Sequence, residues 1–209
     1  MKKIKTVLFD LDGVLIDSLP TMVLAWESVR KNFNVESSFE DFSKYIGIPF
    51  REILKNLLID QKYFKDVEEH YSCKAREYKN RIKLNSEAKN ILNWLDKKNI
   101  STGIVTSKEM KRTYELVEMF NLNLSIIVTP ELTKRGKPYP DPIFYATNLL
   151  SIELNETLFI GDMISDMNSA KNAGCYFLFY TLGYEKVKNV NYGGSITSLD
   201  QIKEFISYL

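Results

Sequence analysis

Several common kinds of site need residues that this chain has little of. It has one histidine, His70, which excludes a histidine-rich metal centre and argues against a Ser-His-Asp catalytic engine. Its two cysteines, Cys73 and Cys175, are too few for a disulfide framework or a cysteine-rich zinc site. As free thiols they suit a reducing, cytoplasmic setting. Lys and Arg number 28 against 27 Asp and Glu, a formal net charge of +1, so no chain-wide basic field argues for nucleic acid. No apolar run reaches the roughly 20 residues of a membrane span. The apolar stretch after Met1-Lys2-Lys3-Ile4-Lys5 is too short for a signal-peptide core. No dinucleotide glycine fingerprint is present, and Pro138 after Gly136-Lys137 rules out a Walker A loop.

What is there is a globular balance. In 209 residues, 44% are hydrophobic and 26% charged, enough for one domain with a sizeable insertion or for two small ones. Short apolar runs predict strands at Thr6–Phe9, Thr102–Thr106, Ser125–Thr129, Leu158–Ile160 and Tyr176–Phe179. Their near-continuous apolar character fits strands buried on both faces. Between and after them, helical spacing predicts helices over Ser86–Lys97, Lys108–Phe120, Pro142–Leu150, Ser165–Ala173 and Ser198–Tyr208. Strands alternating with helices predict an α/β domain with a mostly parallel sheet.

One segment breaks the alternation. From about Ser18 to Ile82 no strand is expected. Ser38 and Asp41 form a capping pair. Gly47 can end that helix and Pro49 can open the next. Gln61–Arg81 reads as one long, charged, amphipathic helix. The expected organisation is a core of residues 1–15 and 83–209 with a helical insertion of residues 16–82.

The strongest local signal is Val7-Leu8-Phe9-Asp10-Leu11-Asp12-Gly13, an apolar strand that ends in two carboxylates and a glycine. Ligands of open α/β sheets bind beyond the carboxyl ends of strands. Alternation lets Asp10 and Asp12 project the same way if strand geometry continues one residue further. Alone, Asp-x-Asp-Gly is expected about once in forty chains of this composition. Here three later strand ends add Thr106 and Ser107, then Lys137, then Gly161-Asp162-Met163-Ile164-Ser165-Asp166. A carboxylate-only oxygen cluster suits a hard cation, Mg²⁺ first. A carboxylate can attack phosphorus, a lysine can neutralise phosphoryl oxygens, and a second carboxyl group can protonate the leaving oxygen.

These blocks resemble the four motifs of the haloacid dehalogenase-like (HAD) superfamily. Asp10-Leu11-Asp12-Gly13-Val14-Leu15-Ile16-Asp17-Ser18 is similar to the first and Ile104-Val105-Thr106-Ser107 to the second. Lys137 in Gly-Lys-Pro-Tyr-Pro-Asp-Pro is similar to the third, and Gly161 to Asp166 to the fourth. The branch resembled is that of phosphoglycolate phosphatase and β-phosphoglucomutase, with a helical cap. The resemblance implies a Rossmannoid three-layer α/β/α core of strand order 3-2-1-4-5. It implies Asp10 as nucleophile and Mg²⁺ ligand, and Asp12 as general acid/base with its backbone carbonyl on the metal. Thr106, Ser107 and Lys137 would hold phosphate, and Asp162 and Asp166 would serve the metal directly or through water. An acid at Asp12 separates phosphate chemistry from the dehalogenases, and Gly161-Asp162 favours hydrolysis over mutase chemistry. The expected activity is Mg²⁺-dependent hydrolysis of a small phosphorylated metabolite. The alternatives are a phosphomutase of β-phosphoglucomutase type, a pyrophosphatase, or a catalytically silent scaffold that only binds. No nucleic acid or membrane partner is expected, and a monomer is expected over a weak dimer.

Simpler roles stand beside these. Thr106 and Ser107 could cap the helix from Lys108. Lys134 competes with Lys137, and Asp166 could serve only the helix dipole. Arg51 is either a cap residue facing substrate or a solvated arginine. Tyr45, Tyr63, Tyr71 and Tyr78 are expected to pack or shield the cap.

Overall fold

The structure is a computed structural model that describes residues 3–187 and 190–208. In chain order it runs β1 (Thr6–Phe9), β2 (Ile16–Asp17), α1 (Leu19–Phe33), α2 (Phe39–Ser43), α3 (Phe50–Asn56) and α4 (Phe64–Glu77). Then come β3 (Lys83–Leu84), α5 (Ala88–Lys97), β4 (Ser101–Val105), α6 (Met110–Phe120), β5 (Ile126–Val128) and α7 (Asp141–Leu150). The chain closes with β6 (Thr157–Gly161), α8 (Ile164–Ala173), β7 (Tyr176–Tyr180), β8 (Gly194–Ile196) and α9 (Gln201–Tyr208).

Alternation of side chains across the sheet builds the three layers. Val7, Phe9, Leu158 and Ile160 face one side, where they pack with Ile91 and Leu95 of α5, Leu116 of α6 and Ile202 of α9. Leu8, Phe159, Phe177 and Phe179 face the other, against Ile143 of α7 and Met167 and Ala170 of α8. Both faces of the sheet are covered, so its central strands are apolar along most of their length, with threonine or serine only at their starts. The order is β5-β4-β1-β6-β7-β8, and all pairs are parallel. The expected five-strand order is therefore present, with β8 added at the edge. Sequence reading missed β8 because Gly194-Ser195-Ile196 is short and has no apolar run.

The chain leaves β1 toward β4 on one side and returns to β6 on the other. β1 is the topological switch point, and the crevice at its carboxyl end is where such sheets bind ligands.

The inserted helices form a separate apolar cluster in which Trp26 stacks on Phe42 with ring centroids 4.6 Å apart. Ser38 opens α2 with a capping box to Asp41, and Pro49 precedes α3. The segment Gln61–Arg81 is not one helix. α4 is flanked by 3₁₀ turns at Gln61–Tyr63 and Lys79–Arg81. Asp60 caps the first turn through the Lys62 amide, and the Tyr78 carbonyl accepts both from the Arg81 amide of the second turn and from the Thr21 hydroxyl. At the base of the insertion its two connections pair as an antiparallel ribbon, Ile16 opposite Leu84 and Asp17 opposite Lys83. Two-residue strands carry no readable period, so the sequence did not show them.

Trp26 is fully buried and its indole N–H donates to the Ser37 carbonyl at 3.1 Å. Trp26→Ala is expected to cost about 3–5 kcal/mol in denaturant unfolding. A loss below about 1 kcal/mol would show that the cap core does not rest on this ring.

Candidate active site

The four sequence blocks converge on the carboxyl edge of β1, β4 and β6. Asp10 follows β1 directly, and its amide donates to the Ile160 carbonyl at 2.8 Å, which extends the β1–β6 pairing by one position. Its carboxylate accepts from the Leu11 amide at 2.8 Å. Gly13 then turns the chain at φ +83°, and a Cβ there would occupy the space of the Asp162 carboxylate. Only glycine satisfies both demands.

The central charge pairing is buried. The Lys137 ammonium lies 2.9 Å from Asp10 and 2.6 Å from Asp166, and all three side chains are almost wholly removed from solvent. Lys134, the other candidate of that loop, is exposed. Asp166 does two jobs at once. Its Oδ2 accepts from the amides of Asp162 and Met163, at 3.2 and 3.0 Å, and so caps α8. Its Oδ1 meets Lys137. Asp162 accepts from the Tyr184 amide at 2.6 Å through Oδ2. Its Oδ1 is buried with no hydrogen-bond partner among the described residues.

Asp10, Asp162 and Asp166 each bring a carboxylate oxygen within 4.8 Å of the others. Three carboxylates and one ammonium leave two formal negative charges in a buried cluster, an arrangement that suits a cation. Burial pushes the Asp10 carboxyl up, Lys137 pulls it down, Asp166 and Asp12 push it up again, and it ends at about 7. Burial, with Asp166 and Asp10 beside it, holds Asp162 well above the carboxylate range. For Lys137, burial works against the charge, but Asp10 and Asp166 more than offset it and hold the ammonium above the ordinary lysine range. An all-oxygen donor set with an orphaned buried oxygen fits a divalent hard cation.

Asp12 shares the cavity with Asp10 but stays outside the carboxylate cluster. It accepts from the Ser18 hydroxyl and pairs with Lys108 at 3.1 Å. Thr106 is buried and lines the same cavity, and its Oγ1 accepts from the Lys108 amide at 3.2 Å. Ser107 lines the cavity too, but its hydroxyl donates to the Gly47 carbonyl of the cap at 2.8 Å. Ser165 donates to the same carbonyl at 3.1 Å, so the cap loop is tied at one oxygen to the loop after β4 and to the first turn of α8. Arg51 is not among the cavity-lining residues. It is exposed and pairs with Glu68 at 2.9 Å.

The cavity holds about 110 Å³ between core and cap. Its cap wall is apolar, with Phe42, Phe50 and Tyr71 in contact. Of the four cap tyrosines, Tyr71 is the one that lines it. Sequence reading missed three residues of the site. Ser18 stands inside the first motif string, and Lys108 directly follows Thr106-Ser107, so both were visible but had no stated task. Tyr184 had no local signal. Its hydroxyl accepts from the Ser18 amide at 2.7 Å while its own amide holds Asp162, a link that exists only in three dimensions.

Comparison with known proteins agrees with this geometry. A family profile described as Haloacid dehalogenase-like hydrolase matches residues 7–180. The phosphoglycolate phosphatase of Aquifex aeolicus is 29% identical over 191 residues, covering 88% of each chain. Pyrophosphatase PpaX of Oceanobacillus iheyensis is 29% identical over 172 residues, covering 81% of this chain and 80% of its own. A hydrolase from Pseudomonas syringae has the same fold, with a TM-score of 0.88 at 24% identity over 97% of this chain and 98% of that one. With its four motif blocks gathered at one sheet edge and the family profile spanning most of its length, this chain belongs to the haloacid dehalogenase-like hydrolase family, as a hydrolase of the phosphatase kind.

Proposed function

We propose that this chain is a Mg²⁺-dependent phosphatase that hydrolyses a small phosphorylated metabolite through an aspartyl-phosphate on Asp10. The observation that carries this reading is the separation of two carboxylates in one cavity. Asp10 sits in the buried cluster with Lys137, while Asp12 is held apart by Ser18 and Lys108. One can attack while the other handles protons.

In the first step an Asp10 oxygen attacks phosphorus, the bond from phosphorus to the leaving oxygen breaks, and Asp12 gives that oxygen a proton. In the second, Asp12 takes a proton from water as the water oxygen attacks phosphorus. Inorganic phosphate leaves and Asp10 returns as a carboxylate. Thr106, Ser107 and Lys137 orient the phosphoryl oxygens, and Lys137 keeps charge near Asp10 balanced. Asp10, Asp162 and Asp166, with the Asp12 backbone carbonyl, would hold Mg²⁺, which supplies charge neutralisation for the transferred phosphoryl group. The insertion of residues 16–82 covers the site, excludes bulk water and selects the leaving group. The relative named a pyrophosphatase favours a second reading, in which the leaving group is itself phosphate. Free Cys73 and Cys175 support a cytoplasmic setting. Among the described residues no helix is long and apolar enough to cross a membrane. The working unit is taken as a monomer acting on a small molecule.

Phosphate release from a panel of phosphorylated metabolites, with Mg²⁺ and with EDTA, tests the reading. Wild type is expected to release phosphate only with Mg²⁺. Asp10→Asn is expected to fall to background with an unchanged circular dichroism spectrum; activity retained in that variant would remove Asp10 as nucleophile.

Asp12→Ala is expected to slow hydrolysis of alkyl phosphates by roughly 10²- to 10⁴-fold. 4-Nitrophenyl phosphate, whose leaving group needs no proton, is expected to lose far less. Equal losses on both would sink the acid/base assignment.

Protons compete with the cation. Asp10 is raised to about 7, so its protonated share grows as pH falls through that value, and the metal takes the deprotonated form. The gain in Tm produced by Mg²⁺ is expected to be larger at pH 8 than at pH 6. An equal or larger gain at pH 6 would contradict this carboxylate cluster as the metal site.

A further inference from the structure

We infer that Lys108 is a specificity-determining residue that takes a second anionic group on the leaving side of a compact substrate. The inference rests on the phosphatase reading above.

The charged side chains of the cavity wall are mostly committed elsewhere. Arg112 is spent on Glu115 at 3.0 Å and on the Ala75 carbonyl at 3.0 Å. Glu68 is paired with Arg51, and Glu109 accepts from Ser72 at 3.0 Å and lies 3.5 Å from Arg76. Lys108 differs. It lines the cavity, its side chain is only 16% exposed, and its ion-pair partner among the described residues is Asp12. An ammonium has three N–H donors, and one ion pair leaves two of them for a further acceptor. A half-buried cation gains more from such an acceptor than a solvated one does.

Distance then limits the substrate. The acid must come within about 3 Å of the oxygen it protonates, and the Lys108 ammonium lies 3.1 Å from the same carboxylate. An anion bound to Lys108 therefore sits within a few ångströms of the scissile oxygen. That fits a carboxylate or phosphoryl group one or two atoms from the bridging oxygen. It does not fit a long sugar chain with a distant second charge. Elsewhere the wall includes Phe42, Ile46 and Phe50, and Arg112, the other cation of the lining, is already paired with Glu115.

The test compares three probes with similar reach: phosphoglycolate, pyrophosphate and the neutral-tailed 2-hydroxyethyl phosphate. Wild type is expected to prefer at least one of the doubly anionic probes in kcat/KM, and the carboxylate and phosphoryl arms show which anion the site takes. In Lys108→Met the ratio of that probe to 2-hydroxyethyl phosphate is expected to fall roughly 10- to 100-fold, the size of a lost charge-assisted hydrogen bond. Lys108→Arg is expected to restore part of the ratio. If Lys108 only positions Asp12, both rates drop together and the ratio stays fixed, which overturns the inference. Calorimetric binding of the same probes to Asp10→Asn protein, with and without Lys108→Met, separates the two levels. A preference that depends on Lys108 in the absence of any wild-type turnover would overturn the phosphatase reading and keep this one. Turnover without a Lys108-dependent preference would do the reverse, and no preferential binding at all overturns this one.

Discussion

A single buried ammonium holds the site together. Lys137 reaches Asp10 from one loop and Asp166 from the first turn of α8, which ties the carboxyl ends of β1 and β6 to the loop after β5. Carboxylates packed this closely repel one another, and burial strengthens that repulsion. Without the lysine the cluster would have to protonate or open. With it the cluster survives but keeps a residual negative charge, which suits it to a cation.

The requirement spreads outward. Asp162 lies just before α8 and Asp166 in its first turn, so the capping of that helix and the shape of the anionic cluster are set by the same atoms: Asp166 Oδ2 fixes the helix start while Oδ1 faces Lys137. Gly13 has to pass the chain close to Asp162 with a positive φ. Tyr184 joins Asp162 to Ser18 at the mouth of the insertion, and Ser18 in turn holds Asp12. Asp162 and Asp12 are thus linked through Tyr184 and Ser18 by a short chain of hydrogen bonds. The Gly47 carbonyl, held by Ser107 and Ser165, ties the other side of the cap to the same edge.

Asp12 is kept out of the carboxylate cluster. Asp10 and Asp12 are two residues apart, yet their environments differ: one is desolvated beside Lys137, the other meets a hydroxyl and a lysine at the cavity wall. Two like groups with different neighbours can take two tasks. That division comes from a glycine turn and from where the insertion returns Ser18, not from the residue types.

Apolar runs alternating with helices marked a mostly parallel sheet in the sequence, and the resemblance of its motifs implied the strand order and the roles of the residues expected at its edge. Polar residues after apolar strands placed Asp10, Thr106 and Asp162 at that edge, while Lys137 was preferred over Lys134 by its Gly-Lys-Pro context. The sequence also showed a helical insertion, though not that Gln61–Arg81 breaks into turns at both ends, nor the ribbon of Ile16–Asp17 with Lys83–Leu84, which is too short to have a period. Only the tertiary structure decided what each polar group faces. Ser107 spends its hydroxyl on the cap, Arg51 turns to Glu68, and Lys108 and Tyr184 enter the site unannounced. These are contacts between residues far apart in the chain, and most of them join the cap to the core. Periodicity and local motifs describe what a segment can form; the partner of a charge depends on how separate segments pack, and that is settled only when the core closes.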